Sequence, residues 1–94
     1  MRDPRPAAVL TNAKPEHDLG GQIGDVKRLS SSGLLDGATI KVQHKNRKAD
    51  AWADNPNVTF VADAHLAYRL QIQSPYNRVV IPDATGNTDV ALFV

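Results

Sequence analysis

Apolar and polar residues alternate along the second half of the chain. In ATIKVQH, at 38–44, the apolar residues Ala38, Ile40 and Val42 take every second position and polar residues take the others. NVTFVA, at 57–62, shows the same alternation. Because successive side chains of a strand point to opposite faces, this pattern predicts strands with one buried face.

Three further segments read as strands: 65–73, 77–82 and 88–94, separated by turn signals of Pro, Ser, Gly and Asn. Short strands joined by close turns are typical of antiparallel sheets that pack on each other. The sequence therefore predicts an all-β fold, a small antiparallel β-sandwich or a Greek-key barrel. We expect the core to include Ile40, Val42, Phe60, Leu70, Val80 and Leu92.

The chain ends on one of its most apolar runs, with Val90, Leu92 and Val94 at alternate positions. A chain end frays unless pairing or packing ties it down, and an unpaired apolar strand is an aggregation hazard. We therefore expect residues 88–94 to be a paired strand whose three alternate residues face the core.

Some segments leave two interpretations open. VADAHLAYRL, at 61–70, also fits a helix, but its continuation into QIQ with period two and the stop at Pro75 favour a strand. Asp25 to Leu29 reads as a short strand or one helical turn. SSSG at 30–33 and Asp36-Gly37 are turn signals. Apart from the open interpretation of Asp25 to Leu29, a helical turn is expected only within 47–54.

The first third of the chain is rich in proline, with Pro4, Pro6 and Pro15. Proline fixes φ and keeps the preceding residue extended, so residues 1–18 read as an extended N-terminal arm and 19–94 as a single sandwich domain. Within the arm, Pro6, Val9 and Leu10 are the predicted partner-binding residues. The alternative is that these residues are simply disordered.

Composition excludes several classes of protein. The 94 residues make one small domain, and 11 basic against 10 acidic side chains give no strong field for nucleic acid or anionic membrane. The absence of cysteine excludes disulfides and thiolate metal sites. We expect no signal peptide and no membrane span, because no apolar run is long enough.

Candidate chemistry is sparse. Nearly all the carboxylates lie beside Gly, Asn or Pro, where Asp serves as a turn residue. His44, Asp63 and His65 are the nearest approach to a metal site, but no spacing fixes a third ligand. The serines and glycines form no nucleophile elbow and no phosphate-binding loop. We therefore expect no enzyme, no metal and no cofactor.

One basic cluster, Lys41, His44, Lys45, Arg47 and Lys48, precedes the single tryptophan, Trp52. Single-strand binders combine such a cluster with several stacking aromatics, which are missing here, so a solvated hairpin loop is favoured over nucleic-acid binding. Trp52 is interpreted either as a lid on the core or as an interface anchor. Trp52, Arg47 and Lys48 are the candidate interface residues.

From Gly37 onward the order of elements resembles small β-sandwich structural proteins of tailed bacteriophage virions. The resemblance lies in Trp52 in a loop, then TFVAD at 59–63, YRLQI at 68–72, NRVVIPDATGNTDV at 77–90, and the last apolar strand. The sequence departs from the pattern at 63–65, where DAH replaces a usual glycine, and the first third has no counterpart in it.

This resemblance implies a virion component with a binding role and no active site. Among such components the arm favours a capsid decoration (cement) protein, which binds the head surface through its arm and sandwich and stabilises it. The implied partner is the major capsid protein or another virion protein, with the chain as a trimer or dimer on the particle. Localisation would be the capsid surface after synthesis in the host cytoplasm.

Three alternatives stay open. A tail or head-tail connector subunit would use the same sandwich in a closed ring. A nucleic-acid-binding barrel would depend on the basic cluster alone. A carbohydrate-binding domain would need an exposed aromatic platform, and the low aromatic content disfavours it.

Overall fold

The computed structural model describes residues 5–20, 22–60 and 67–94, without the side chains of 56–60 and 67. These residues form strands and contain no helix, so none that could cross a lipid bilayer. The strands are β1 (Ala8–Thr11), β2 (Glu16–Asp18), β3 (Val26–Leu34), β4 (Ile40–Lys45), β5 (Ala53–Phe60), β6 (Ala67–Gln71), β7 (Tyr76–Val80) and β8 (Asp89–Phe93).

The strands form two antiparallel four-stranded sheets. Sheet A has the order β1-β8-β3-β6 and sheet B has the order β2-β7-β4-β5. The pairing is nested: the first strand pairs with the eighth, the second with the seventh, the third with the sixth and the fourth with the fifth. Nested pairing divided between two sheets is jelly-roll connectivity. The predicted all-β fold is confirmed, in its sandwich form.

The core lies between the two sheets and is built from alternate residues of both. Of the six predicted core residues, five are buried, and the side chain of Phe60 lies outside the described part. The cluster of buried apolar residues consists of Leu10, Leu19, Leu29, Leu35, Ala38, Ile40, Val42, Leu70, Ile72, Val79, Ile81, Val90 and Leu92.

Strand β8 occupies the interior of sheet A, between β1 and β3. Val90 lies opposite Leu10 of β1 and Gly33 of β3, and both Val90 and Leu92 are fully buried. The predicted pairing of the last strand is therefore confirmed. The prediction for Val94 is wrong: it lies beyond the last paired residue and is 51% exposed.

The predicted boundary between an arm at 1–18 and a domain at 19–94 needs correction. Residues 8–11 form β1 on β8, and residues 16–18 form β2 on β7, so both belong to the sandwich. Leu10 is fully buried in the core and cannot be a partner-binding residue of an arm. Pro6 is exposed ahead of β1, and residues 1–4 lie outside the described part.

The serine-rich segment 30–33 was predicted to be a turn, which is wrong. It lies inside β3, where Ser30 pairs with both β6 and β8 and Ser31 faces the core beside Leu92. Gly33 is required at its position, because a Cβ there would lie 2.2 Å from the backbone oxygen of Asp89, and φ is +133°. The turn lies at Asp36 and Gly37, both with positive φ, as their residue types predict.

Segments 47–54 and 65–73 also differ from prediction in detail. The first contains a hydrogen-bonded turn at 47–50 and no helix, and β5 begins at Ala53, four residues before the predicted start. Between the pairs Gln43–Asp54 and Lys41–Thr59, β4 advances two residues while edge strand β5 advances five, so Pro56 sits in an irregularity that tolerates it. The strand interpretation of 65–73 is confirmed for 67–71, while residues 61–66 lie outside the described part.

The two neighbours Val9 and Leu10 test whether β1 belongs to the core. Leu10→Ala should lower the free energy of unfolding by about 2–5 kcal/mol, because it removes a fully buried side chain. Val9→Ala, on the exposed face of the same strand, should cost less than about 1 kcal/mol. Urea denaturation measures both values. If both variants lose a similarly small free energy of unfolding, β1 is an arm outside the fold.

Gly33 provides a second test of the fold. Gly33→Ala should cost about 2 kcal/mol or more, because the added methyl meets the Asp89 backbone and the strained φ persists. Gly86→Ala is the matched control, since nothing lies within 4 Å of its added Cβ. Thermal unfolding of both variants decides the point, and equal melting temperatures would show that β3 and β8 do not approach so closely.

Candidate functional site

Polar side chains from all four strands of sheet B form a ladder across its outer face. Gln43 of β4 lies opposite Arg78 of β7 and Asp54 of β5. Arg78 Nε and Nη2 donate to Gln43 Oε1 at 2.9 and 2.6 Å, and Gln43 Nε2 donates to Asp54 Oδ1 at 2.6 Å. Ion pairs close both ends, Lys41 with Asp54 at 3.0 Å and Arg78 with Glu16.

This ladder changes the acidity of its exposed carboxylate. The hydrogen bond from Gln43, and then that from Lys41, lower the pKa of Asp54 below its ordinary value. Both donors favour the charged form of the carboxylate. Asp54 is therefore held ionised as an acceptor within the ladder.

Trp52 packs on the ladder, outside the core. Its ring centroid lies 4.5 Å from the guanidinium carbon of Arg78 and 4.5 Å from Lys45 Nζ, which is also 5.7 Å from the centroid of Tyr76. Such cation–π contacts fix the ring on the sheet surface. Because Trp52 is half-buried and absent from the core cluster, it is not a lid on the core.

The turn at 47–50 gives Arg47 and Lys48, the two candidate interface cations, different charge surroundings. The Asp50 carboxylate accepts the Arg47 backbone N–H at 3.1 Å and pairs with its guanidinium at 3.0 Å. The ammonium of Lys48 has no carboxylate partner among the described residues, while its carbonyl accepts a bond from Lys45 Nζ at 2.9 Å. Arg47 thus has a carboxylate partner within its own turn, whereas none of the described carboxylates pairs with Lys48.

Together these groups border a cleft of about 400 Å³ on the outer side of sheet B. Trp52, Tyr76 and Pro75 supply its apolar surface, and Lys45 and Lys48 its positive charge. The remaining lining residues are Asp18, Gly20 and Asn77. We refer to it as the Trp52 cleft.

The sequence singled out Trp52 and Lys48 as candidate interface residues and Lys45 as a member of the basic cluster, but not Asp18, Arg78 or Tyr76. Tyr76 and Arg78 occupy alternate positions of β7, and Lys45 lies directly opposite Tyr76. The alternation of positions in β4 and β7 would have placed Lys45 on one face of β4, and Tyr76 and Arg78 on one face of β7. It would not have given the strand register that brings these side chains together near Trp52.

The described residues do not form the metal site considered at His44, Asp63 and His65. His44 Nδ1 lies 3.2 Å from the hydroxyl of Ser74, at the edge of the core, and Asp63 and His65 lie outside the described part. Within the ranges described, no three potential ligands converge on one point.

The outer face of sheet A has the opposite character. Along its middle, Val9, Ala91 and Ser32 lie side by side, with Phe93 beside Ser30 in the next row. Val9 is 46% exposed. This largely uncharged surface we call the sheet A face.

Two arginines stand at one end of the sheet A face. Arg28 of β3 lies directly opposite Arg69 of β6, and both are exposed. Like charges directly opposite each other destabilise a sheet. No carboxylate among the described residues pairs with either guanidinium.

Comparisons with protein-family models, curated proteins and solved structures return no match to this chain. The resemblance to virion proteins drawn from residues 37–94 therefore stays a prediction.

The lowered pKa of Asp54 can be tested directly. Because Gln43 is the largest cause, Gln43→Leu should raise the pKa toward the ordinary value of about 3.9, and Lys41→Met should raise it less. Carboxyl-carbon NMR titration measures both, with Lys14→Met as a control remote from Asp54. The contribution of this carboxylate to stability is fully present above about pH 4 and is lost as pH falls through its lowered pKa. An unchanged pKa in both variants would contradict the ladder.

Proposed function

We propose that this chain is a non-enzymatic structural subunit of a virion, a decoration protein that binds the capsid surface. The sequence resemblance from Gly37 onward supports this proposal. The jelly-roll connectivity adds support by analogy, because viral capsid domains are among the proteins that have it.

The observation that carries the proposal is the sheet A face. Val9 and Leu34 expose nearly half of their surface on it, and the outward residues of β8 include Ala91 and Phe93. The middle of this face, from Val9 across Ala91 to Ser32, carries no charged side chain and loses little polar hydration when another protein covers it, whereas Asp89 and the two arginines lie toward its ends. It therefore suits broad docking on a capsomer.

The arginine pair specifies the chemistry of the partner. Arg28 and Arg69 repel each other across the β3–β6 pairing, and none of the described carboxylates pairs with either. Carboxylates on the partner would remove that repulsion and form charge-assisted hydrogen bonds. We therefore expect the capsid protein to place apolar groups against Val9 and Phe93 and acidic groups against the two arginines.

The basic cluster gives little support to nucleic-acid binding. Lys41 is paired with Asp54, Arg47 with Asp50, and Lys45 lies over two rings. Of the cluster's four Lys and Arg side chains, Lys45 and Lys48 lack a carboxylate partner among the described residues, and two cations can neutralise few phosphates. Pro6, exposed ahead of β1, remains a candidate contact with the particle.

Co-sedimentation with virus particles that lack this chain tests the proposal. The intact protein should bind purified heads saturably and should not bind purified tails. Binding to tails alone would favour the tail or connector alternative. Binding to neither would contradict a virion role. Val9→Lys should weaken binding about tenfold or more, since a charge would be desolvated in the interface. Ala49→Lys is the matched control, because Ala49 is exposed in the turn at 47–50, which borders sheet B.

A further inference from the structure

The Trp52 cleft combines aromatic rings with an ammonium group that is not neutralised. Lys45 Nζ lies over the rings of Trp52 and Tyr76. An ammonium has three donors, and the structure records one hydrogen bond from Lys45 Nζ, to the Lys48 carbonyl. None of the described carboxylates pairs with Lys45 or Lys48. The cleft therefore presents positive charge between aromatic surfaces.

This arrangement favours a ligand with two different parts. Aromatic faces carry negative charge density and repel anions, but the Lys45 ammonium, 4.5 Å from the Trp52 centroid and 5.7 Å from the Tyr76 centroid, reverses the potential beside both rings. A carboxylate can then bind the ammonium groups through charge-assisted hydrogen bonds. Weakly polar C–H groups suit the aromatic surface beside it, of which Tyr76 is 39% exposed and Trp52 half-buried.

Asp18 limits the choice further. It is exposed and lines the same cleft. An ionised carboxylate only accepts hydrogen bonds, so it favours hydroxyl donors and repels a ligand that carries many negative charges. An acidic peptide or a nucleic-acid strand would meet that repulsion, whereas a hydroxylated ring with one carboxylate would satisfy both charges.

We propose that the Trp52 cleft binds an acidic saccharide, a pyranose that carries a carboxylate. Its C–H face lies on Trp52 and Tyr76, its carboxylate meets Lys45 and Lys48, and a hydroxyl donates to Asp18. The volume of about 400 Å³ lies within the range of small-ligand sites.

The site is largely ordered before binding. Arg78 is held by Gln43 and Glu16 and in turn contacts the Trp52 ring. The Arg47 backbone N–H holds the turn at 47–50 by donating to the Asp50 carboxylate. A prearranged site loses little conformational entropy on binding. Saccharide binding on sheet B is independent of particle attachment through the sheet A face.

The single tryptophan makes the test specific. Because Trp52 is the only Trp in the chain, its fluorescence reports on this cleft alone. The intact protein is titrated with galacturonic acid, N-acetylneuraminic acid, galactose and pentaglutamate. At least one acidic sugar should bind saturably and about tenfold or more tighter than galactose and pentaglutamate. No saturable response to either acidic sugar, or equal binding of pentaglutamate, would overturn the proposal.

Two neighbouring cations provide a matched pair of variants. Lys48→Gln should weaken binding of the acidic sugar about tenfold, because a charge-assisted contact is lost. Arg47→Gln, in the same turn but paired with Asp50, should leave it unchanged. Tyr76→Leu should weaken binding while keeping the Trp52 reporter. Unchanged affinity in both Lys48→Gln and Tyr76→Leu would show that the ligand does not occupy the cleft.

Discussion

The pairing of β8 with β1 on one side and β3 on the other is the interaction on which the rest of the structure depends. It places Val90 and Leu92 at the centre of the core, and it completes sheet A as a four-stranded layer over sheet B. Without β8, β1 would have no partner in sheet A, and the core would lose the buried side chains of Val90 and Leu92. Each buried Leu or Val contributes about 1.5–3 kcal/mol, so this strand governs the stability of the whole domain.

The same pairing divides the molecule into two surfaces of different chemistry. The outward residues of β1, β3 and β8 are mainly apolar or serine, whereas the outward residues of sheet B form a charged and aromatic network. The proposed attachment to a particle and the proposed saccharide site therefore lie on opposite layers. One compact domain could serve both without competition between ligands.

Alternation along single strands was readable from the sequence, and long-range pairing was not. Ile40, Val42, Leu70 and Leu92 were placed in the core correctly because each lies in a segment with clear period two. The strand β1 has only four residues beside a proline, too short for a visible period, so Leu10 was assigned to an arm. The serines of β3 carried a turn composition that their central place between β6 and β8 overrides.

The site was less predictable than the fold. Trp52 and Lys48 stood out by residue type, but the cleft depends on the register that sets Lys45 beside Tyr76 and Gln43 beside Arg78. These pairs join residues more than thirty positions apart, and no local pattern fixes such a register. The geometry of one turn likewise decides that Arg47 pairs with Asp50, while Lys48 has no carboxylate partner in the described part of the chain.

Native-state hydrogen exchange tests the central claim most directly. If β8 lies inside sheet A, the amides of Val90 and Leu92 should exchange only through global unfolding, with the free energy that urea denaturation gives for the whole domain. Amides at the middle of β4 and β7 serve as the internal reference for that value. Exchange at Val90 and Leu92 through local opening, at a clearly lower free energy than in β4 and β7, would contradict the account.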